Sequence, residues 1–179
     1  MNMPVETLNY LLALGTLVMQ IGVVFFLAVY CLRSRYKVLQ DISESLAEWG
    51  MLLALVLSGL ASGLTVYYSG VLGILPCPLC WWQRAFLYPQ VVLFILALWK
   101  RDVRIADYSI ALSIVGMAVA LYQHALQTMP SGVLPCPAVS EGVSCAQRII
   151  FEFGYITFPL MATTIFASLI VLLLFVRRR

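Results

Sequence analysis

Charge is what this chain has least of. Only 11% of its 179 residues are Asp, Glu, Lys or Arg, against 63% hydrophobic residues, and the mean hydropathy is +0.97. A soluble domain of this size is not built from that mixture; apolar runs this dense mean transmembrane helices. Histidine is nearly absent too, with one copy, His124. The chain has no Rossmann glycine pattern and no haem-attachment motif, so neither a dinucleotide nor a covalently held haem is expected. Its Lys and Arg residues nowhere form a basic patch interleaved with aromatics, which argues against nucleic acid as a partner. Sequence repeats and low-complexity segments are also missing. What remains is an all-α integral membrane protein.

Five apolar segments are present, at residues 8–32 and about 49–69, 81–99, 108–127 and 153–176. Each is long enough to span a bilayer. The first follows a start that carries only Glu6 and is followed by Arg33, Arg35 and Lys37. Without a basic start or a small-residue cleavage site, it reads as a retained helix rather than a signal peptide. Residues 36–48 read as a polar, mixed-charge connector in which Asp41 or Ser43 would cap a short interfacial helix. Ser58, Gly59, Ser62 and Gly63 form a stripe of small residues suited to close helix approach. Pro89 should kink the third segment or leave a carbonyl free. Tyr67, Tyr68, Trp81 and Trp82 fit interfacial anchors.

Threading the segments alternately through a bilayer puts Arg33, Arg35, Lys37, Lys100, Arg101, Arg104, Arg177, Arg178 and Arg179 on one side, and only Arg84 and Arg148 on the other. By the positive-inside rule the amino terminus faces out and the carboxyl terminus faces the cytoplasm. The same threading sorts the five cysteines: Cys77, Cys80, Cys136 and Cys145 fall outside, and Cys31 near the cytoplasm. Disulfides persist outside and are reduced inside. Four outer cysteines can pair in three ways; the two local pairs, Cys77–Cys80 and Cys136–Cys145, each close a small loop.

The stretch Pro76-Cys77-Pro78-Leu79-Cys80-Trp81-Trp82-Gln83-Arg84 opens the third segment. A Cys-x-x-Cys pair at a helix N-terminus sits beside unpaired N–H groups that favour a thiolate. At about 100° per residue, Cys77, Cys80 and Arg84 share one stripe of the helix. An arginine inside the apolar zone is a functional-site candidate by default. The competing readings are half of a zinc site and a plain stabilising disulfide with a snorkelling arginine. Two disulfides on one face suggest a relay, since thiolate attack passes two electrons along without a metal. His124, at a depth close to that of Cys80 and Arg84, is a candidate to polarise a quinone carbonyl, and Tyr122, Gln123 and Gln83 are further polar candidates at that level. A lone interfacial histidine finding water is the alternative.

Together with Tyr88-Pro89, Tyr122-Gln123-His124, Gly142-Val143-Ser144-Cys145 and Phe153-Gly154-Tyr155-Ile156-Thr157-Phe158-Pro159, this pattern resembles the DsbB family of disulfide bond formation proteins, closest to its BdbC-like branch, over about residues 50–176. The loop cysteines follow the Cys-x-x-Cys pair here, whereas in the related vitamin K epoxide reductase family they precede it. The resemblance implies a four-helix transmembrane bundle at 49–179, with residues 1–48 an extra N-terminal transmembrane helix and cytoplasmic connector. It implies a protein-dithiol:quinone oxidoreductase of the cytoplasmic membrane that reoxidises a DsbA-like thiol oxidase and reduces ubiquinone or menaquinone. Carried over, Cys136 forms the mixed disulfide with the partner, Cys145 passes the exchange to Cys77, and Cys80 engages the quinone. Arg84 steadies the quinone and His124 supports it. Gln83 stands where enterobacterial members often carry an acid.

Overall fold

A computed structural model describes residues 5–130, 134–135 and 144–178. Cys136, and with it the Cys136–Cys145 pairing, lies outside the described residues, as do most of the loop between those cysteines and Arg179. Five helices follow in order: α1 (Val5–Leu32), α2 (Lys37–Gly70), α3 (Pro78–Lys100), α4 (Ile105–Thr128) and α5 (Phe158–Val176). All five are long and apolar enough to cross a membrane, as the hydropathy of the sequence requires. Helices α2 to α5 form a four-helix bundle, and α1 lies against its outside, packed more on α5 than on α2.

Local chemistry sets the helix ends. The Cys77 sulfur accepts from the Cys80 N–H at the start of α3, and Pro78 follows it as a helix-compatible first residue. At the other end Arg101 takes the left-handed conformation (φ 54°), and its N–H closes on the Ala97 carbonyl. The helix runs through Pro89 without a break, and beside it Gln90 donates its side-chain amide to the Phe86 carbonyl at 2.9 Å.

The sequence expectations need three corrections. The connector at 36–48 is not a separate interfacial helix, because α2 is continuous from Lys37. Leu39, Ile42, Leu46 and Ala47, at helical spacing, pack toward Val29 of α1 and Phe175 of α5. Ser43 is not a cap; it accepts a hydrogen bond from Arg33 at 3.4 Å. Helix α5 begins at Phe158, five residues later than the apolar run suggests. Residues 152–156 form a tight turn with Phe153 (φ 51°) and Gly154 (φ 76°) left-handed and Glu152 paired to Ile156, and Thr157 caps the helix by accepting from Leu160 N–H. The small-residue stripe on α2 is also divided. Ser58 is fully buried, but a Cβ on Gly59 or Gly63 would meet nothing within 4 Å, since these lie about 100° and 140° round the helix from Ser58.

The close approaches are elsewhere. A Cβ at Gly116 would fall 2.5 Å from the Phe166 ring, and one at Gly50 would fall 2.6 Å from the Val176 side chain. These glycines let α4 and α2 seat against α5, around a core of Met51, Phe94, Ala97, Ala106, Leu169 and Leu173.

Candidate active site: a cysteine relay beside a membrane cavity

The α3 N-terminus brings the Cys77 and Cys80 sulfurs to 2.8 Å. Cys77 is buried, while Cys80 is half-buried one turn further in. The hydrogen bond shared with Cys80, followed by burial, pushes the Cys77 thiol well above the ordinary cysteine range, with a smaller push from Cys145. The N–H donated by Cys80 acts the other way and is outweighed. The helix terminus alone does not make Cys77 a thiolate; it holds its proton and shares it with its neighbour. Cys145 is fully buried and packs with Cys77, Leu79 and Leu126.

Helix α4 organises both halves of this arrangement. Gln123, 2% exposed, donates its amide to Cys77 Sγ at 3.1 Å and to Cys80 Sγ at 3.4 Å. Its carbonyl accepts from Gln83 Nε2 at 2.7 Å. One turn on, Gln127 donates to the backbone carbonyls of Cys145 (3.3 Å) and Gln147 (3.0 Å). Two amides at i and i+4 on one helix face thus hold the Cys-x-x-Cys sulfurs and the Cys145 segment in register. Arg148 adds a clamp by donating to the Gln127 carbonyl at 2.6 Å, with its guanidinium over Phe151, which makes it a structural tie. Tyr122 reaches the Pro135 carbonyl at 2.5 Å.

Arg84 donates to the Thr65 carbonyl of α2 at 2.9 Å and lies 5.3 Å from the centre of the Trp81 ring. The Thr65 hydroxyl donates to the Ser62 backbone carbonyl, so Tyr88, 2.7 Å away, donates to Thr65 and braces the same point. Among the described residues the ion pair is Arg177–Asp107, at 2.8 Å, and no carboxylate neutralises Arg84. Its charge and unused N–H donors are therefore available to a ligand. His124 stands apart: its Nδ1 is 2.8 Å from the Thr157 hydroxyl, so it ties α4 to the start of α5. Tyr68 is also internal rather than an interfacial anchor, because its hydroxyl donates to Asn9 of α1 at 2.6 Å and its ring packs edge-on to Phe158. Trp81 and Trp82 are each 58% exposed, as anchors should be. Cys31 is exposed at the other end of the molecule.

A cavity of about 340 Å³ opens beside the cysteine pair. Cys77, Cys80, Gln83, Arg84 and Gln123 line it beside the sulfurs, with Gln127, Ser144 and Gln147 adding polar groups, while His124 does not border it; most of the remaining lining is apolar, from α1, α2, α5 and the segment before Cys77. A ligand with hydrogen-bond acceptors at one end and hydrocarbon at the other matches that division. Gln123 was visible in the sequence only as one polar residue among several, and the Thr65 carbonyl had no signal there at all.

Five helices apolar enough to span a membrane, with a Cys-x-x-Cys pair at a helix N-terminus and a third cysteine packed against it, define a multi-pass membrane protein built for thiol–disulfide chemistry. The DsbB family model, disulfide bond formation protein DsbB, matches residues 47–176. The chain belongs to the DsbB family, whose disulfide formation proteins are oxidoreductases. It is 34% identical over 130 residues to a probable disulfide formation protein of Chlamydia trachomatis, covering 73% of this chain and 93% of that one. It is 35% identical over 114 residues to a probable disulfide formation protein C of Halalkalibacterium halodurans, covering 64% and 82%. Disulfide bond formation protein C of Bacillus subtilis is 32% identical over 127 residues, covering 70% and 86%. No solved structure matches the chain.

Proposed function

We propose that this protein is a protein-dithiol:quinone oxidoreductase that reoxidises a DsbA-like thioredoxin-fold oxidase and so supports disulfide formation in exported proteins. The observation that carries this reading is an order in space: Cys145 packs against Cys77, Cys77 touches Cys80, and Cys80 borders the cavity. Electrons entering at the loop cysteines have a sulfur-to-sulfur route ending at a membrane-embedded pocket.

Each exchange conserves one disulfide. The partner's dithiol reduces Cys136–Cys145 and becomes a disulfide; the Cys136 and Cys145 thiols then reduce Cys77–Cys80. Gln123 donates to both sulfurs of the second pair, which favours negative charge on whichever sulfur is leaving. Shared with Cys80, the proton of Cys77 stays near the pair when Cys80 reacts. The chemistry a bound quinone supplies is acceptance of two electrons and two protons from the Cys77–Cys80 dithiol. Arg84, Gln83 and Gln123 are the residues that would hold its carbonyl oxygens, with Arg84 stabilising the charge that builds there. His124 contributes by fixing α4 against Thr157. Ubiquinone and menaquinone present the same carbonyl chemistry to these donors.

The excess of Lys and Arg at the other end of the molecule supports a cytoplasmic-membrane orientation with the amino terminus and active cysteines outside and the carboxyl terminus in the cytoplasm. The catalytic bundle then comprises α2 to α5, which takes in residues 37–48 as well as the expected 49–179, and α1 is the added helix. The test is quinone reduction by the purified protein with a reduced thioredoxin-like oxidase as donor. Loss of quinone absorbance that needs both cysteine pairs is the expected result. No reduction of either quinone type, with both disulfides intact, would overturn the reading.

A further inference from the structure

Helix α1 lies outside the matched family region, which begins at residue 47, yet it walls the cavity. Leu11, Leu12, Gly15, Thr16 and Met19 all border it, on the flank away from α3 and α4. Polar ties hold the helix there. Asn9 accepts from Tyr68 at 2.6 Å, Gln20 donates to Thr164 of α5 at 3.3 Å, and Gln20 accepts from Tyr155 at 2.9 Å. With α1 fastened chiefly to α5, a gap remains on its α2 side. Leu11 and Leu60, which both border the cavity from α1 and α2, are 49% and 65% exposed. A Cβ on Gly15 would meet no atom within 4 Å.

A volume of about 340 Å³ is near the lower end for a small-molecule pocket. It holds a ring headgroup and the first part of a tail; a longer tail must leave through an opening. Polar groups of α3, α4 and residues 144–147 border the cavity near the sulfurs, so the apolar gap between α1 and α2 is the exit that costs a hydrocarbon tail no desolvation.

Resting on the quinone reading above, we propose that α1 is the tail-binding wall of the acceptor site, and that the gap at Gly15 and Leu60 is the portal through which a quinone with a long hydrocarbon tail reaches Cys80 from the lipid. Helix α1 thereby sets a preference for tailed over tailless quinones that α2 to α5 alone do not supply.

The experiment measures dissociation constants of a long-tailed and a tailless quinone for the full-length protein, by quenching of its tryptophan fluorescence. Reduction of each quinone is followed in parallel. The unsubstituted protein should prefer the tailed quinone. Gly15→Phe should lower that preference, read as the ratio of the two constants, at least fivefold. Leu60→Phe, on the exposed opposite rim, should act in the same direction and guards against a folding defect in the first variant. Leu14→Phe, next to Gly15 but outside the cavity lining, should leave the ratio unchanged. An unchanged ratio in both Gly15→Phe and Leu60→Phe overturns the inference and leaves the quinone reading standing. No preference in the unsubstituted protein does the same. Binding of neither quinone overturns the reading on which the inference rests, and the inference with it.

Discussion

Away from the cysteines, the bundle is closed by contact alone. Ala97, Ala106, Leu169 and Leu173 are at most 2% exposed, and Gly116 and Gly50 let helix α5 approach until no room is left for a methyl group. At the cysteine end the same helices enclose a cavity, and what fixes them is a set of directional bonds: Gln123 to two sulfurs, Gln127 to the Cys145 segment, Arg84 to a carbonyl of α2. Lipid offers helices little hydrophobic reason to associate, so close packing of small and large residues supplies stability in one half. The other half gives up packing for a cavity and keeps its shape with amides and two arginines, Arg84 and Arg148. Stability and chemistry are separated along the membrane normal.

Substitutions should respect that division. The largest expected effect is at the cysteine end: Cys80→Ser should reduce quinone reduction to background, at least about a thousandfold or roughly 4 kcal/mol of barrier, while still trapping the partner as a mixed disulfide on gels. Its unfolding midpoint should stay unchanged; full turnover would show that the roles of the sulfurs are misassigned. Phe94→Ala, in the packed half, should lose about 3–5 kcal/mol of stability in detergent unfolding curves, and the protein that remains folded should keep its turnover number. Gly116→Ala forces its new methyl into the Phe166 ring and should cost about 1–3 kcal/mol. If it instead leaves the unfolding curve untouched, the close approach is not part of what holds the bundle. Gln123→Leu keeps the bulk of the side chain and removes its hydrogen bonds to Cys77, Cys80 and Gln83; turnover should fall about tenfold or more with little change in unfolding, and Gln123→Asn should not restore it, the amide being too short. The smallest effect belongs to Asp107→Asn. The Arg177–Asp107 pair is more than half exposed on both sides, so stability should change by no more than about 0.5 kcal/mol.

The spans were legible because apolar length is a direct consequence of the bilayer, and the Cys-x-x-Cys pair was legible because a helix start and an arginine one turn on leave few other readings. The start of α5 was not, because Phe153 and Tyr155 are as apolar as the helix that follows. Only the left-handed pair Phe153-Gly154 turns the chain there. Residues 37–48 were hidden by their charges, although Leu39, Ile42 and Leu46 carry the helical spacing that continues α2. Gln123 could not be singled out, since an amide in an apolar helix fits many roles. The anchor of Arg84 is a backbone carbonyl, to which no residue type points. The wall that α1 builds depends on which helices meet, and hydropathy has nothing to say about that.

The position of α1 also imposes an order on biosynthesis. Its principal neighbour is α5, the last of the five helices, so α1 is made well before its main seat exists. At about 5–20 residues per second, the stretch from Leu32 to Phe158 takes on the order of ten seconds to synthesise. Through that interval the flank that α1 later covers stands open to lipid, and Gln20 has neither Tyr155 nor Thr164 to bind. Completion of the acceptor cavity is thus a late event in assembly, and a nascent chain stopped before α5 carries the Cys-x-x-Cys pair without the pocket it serves.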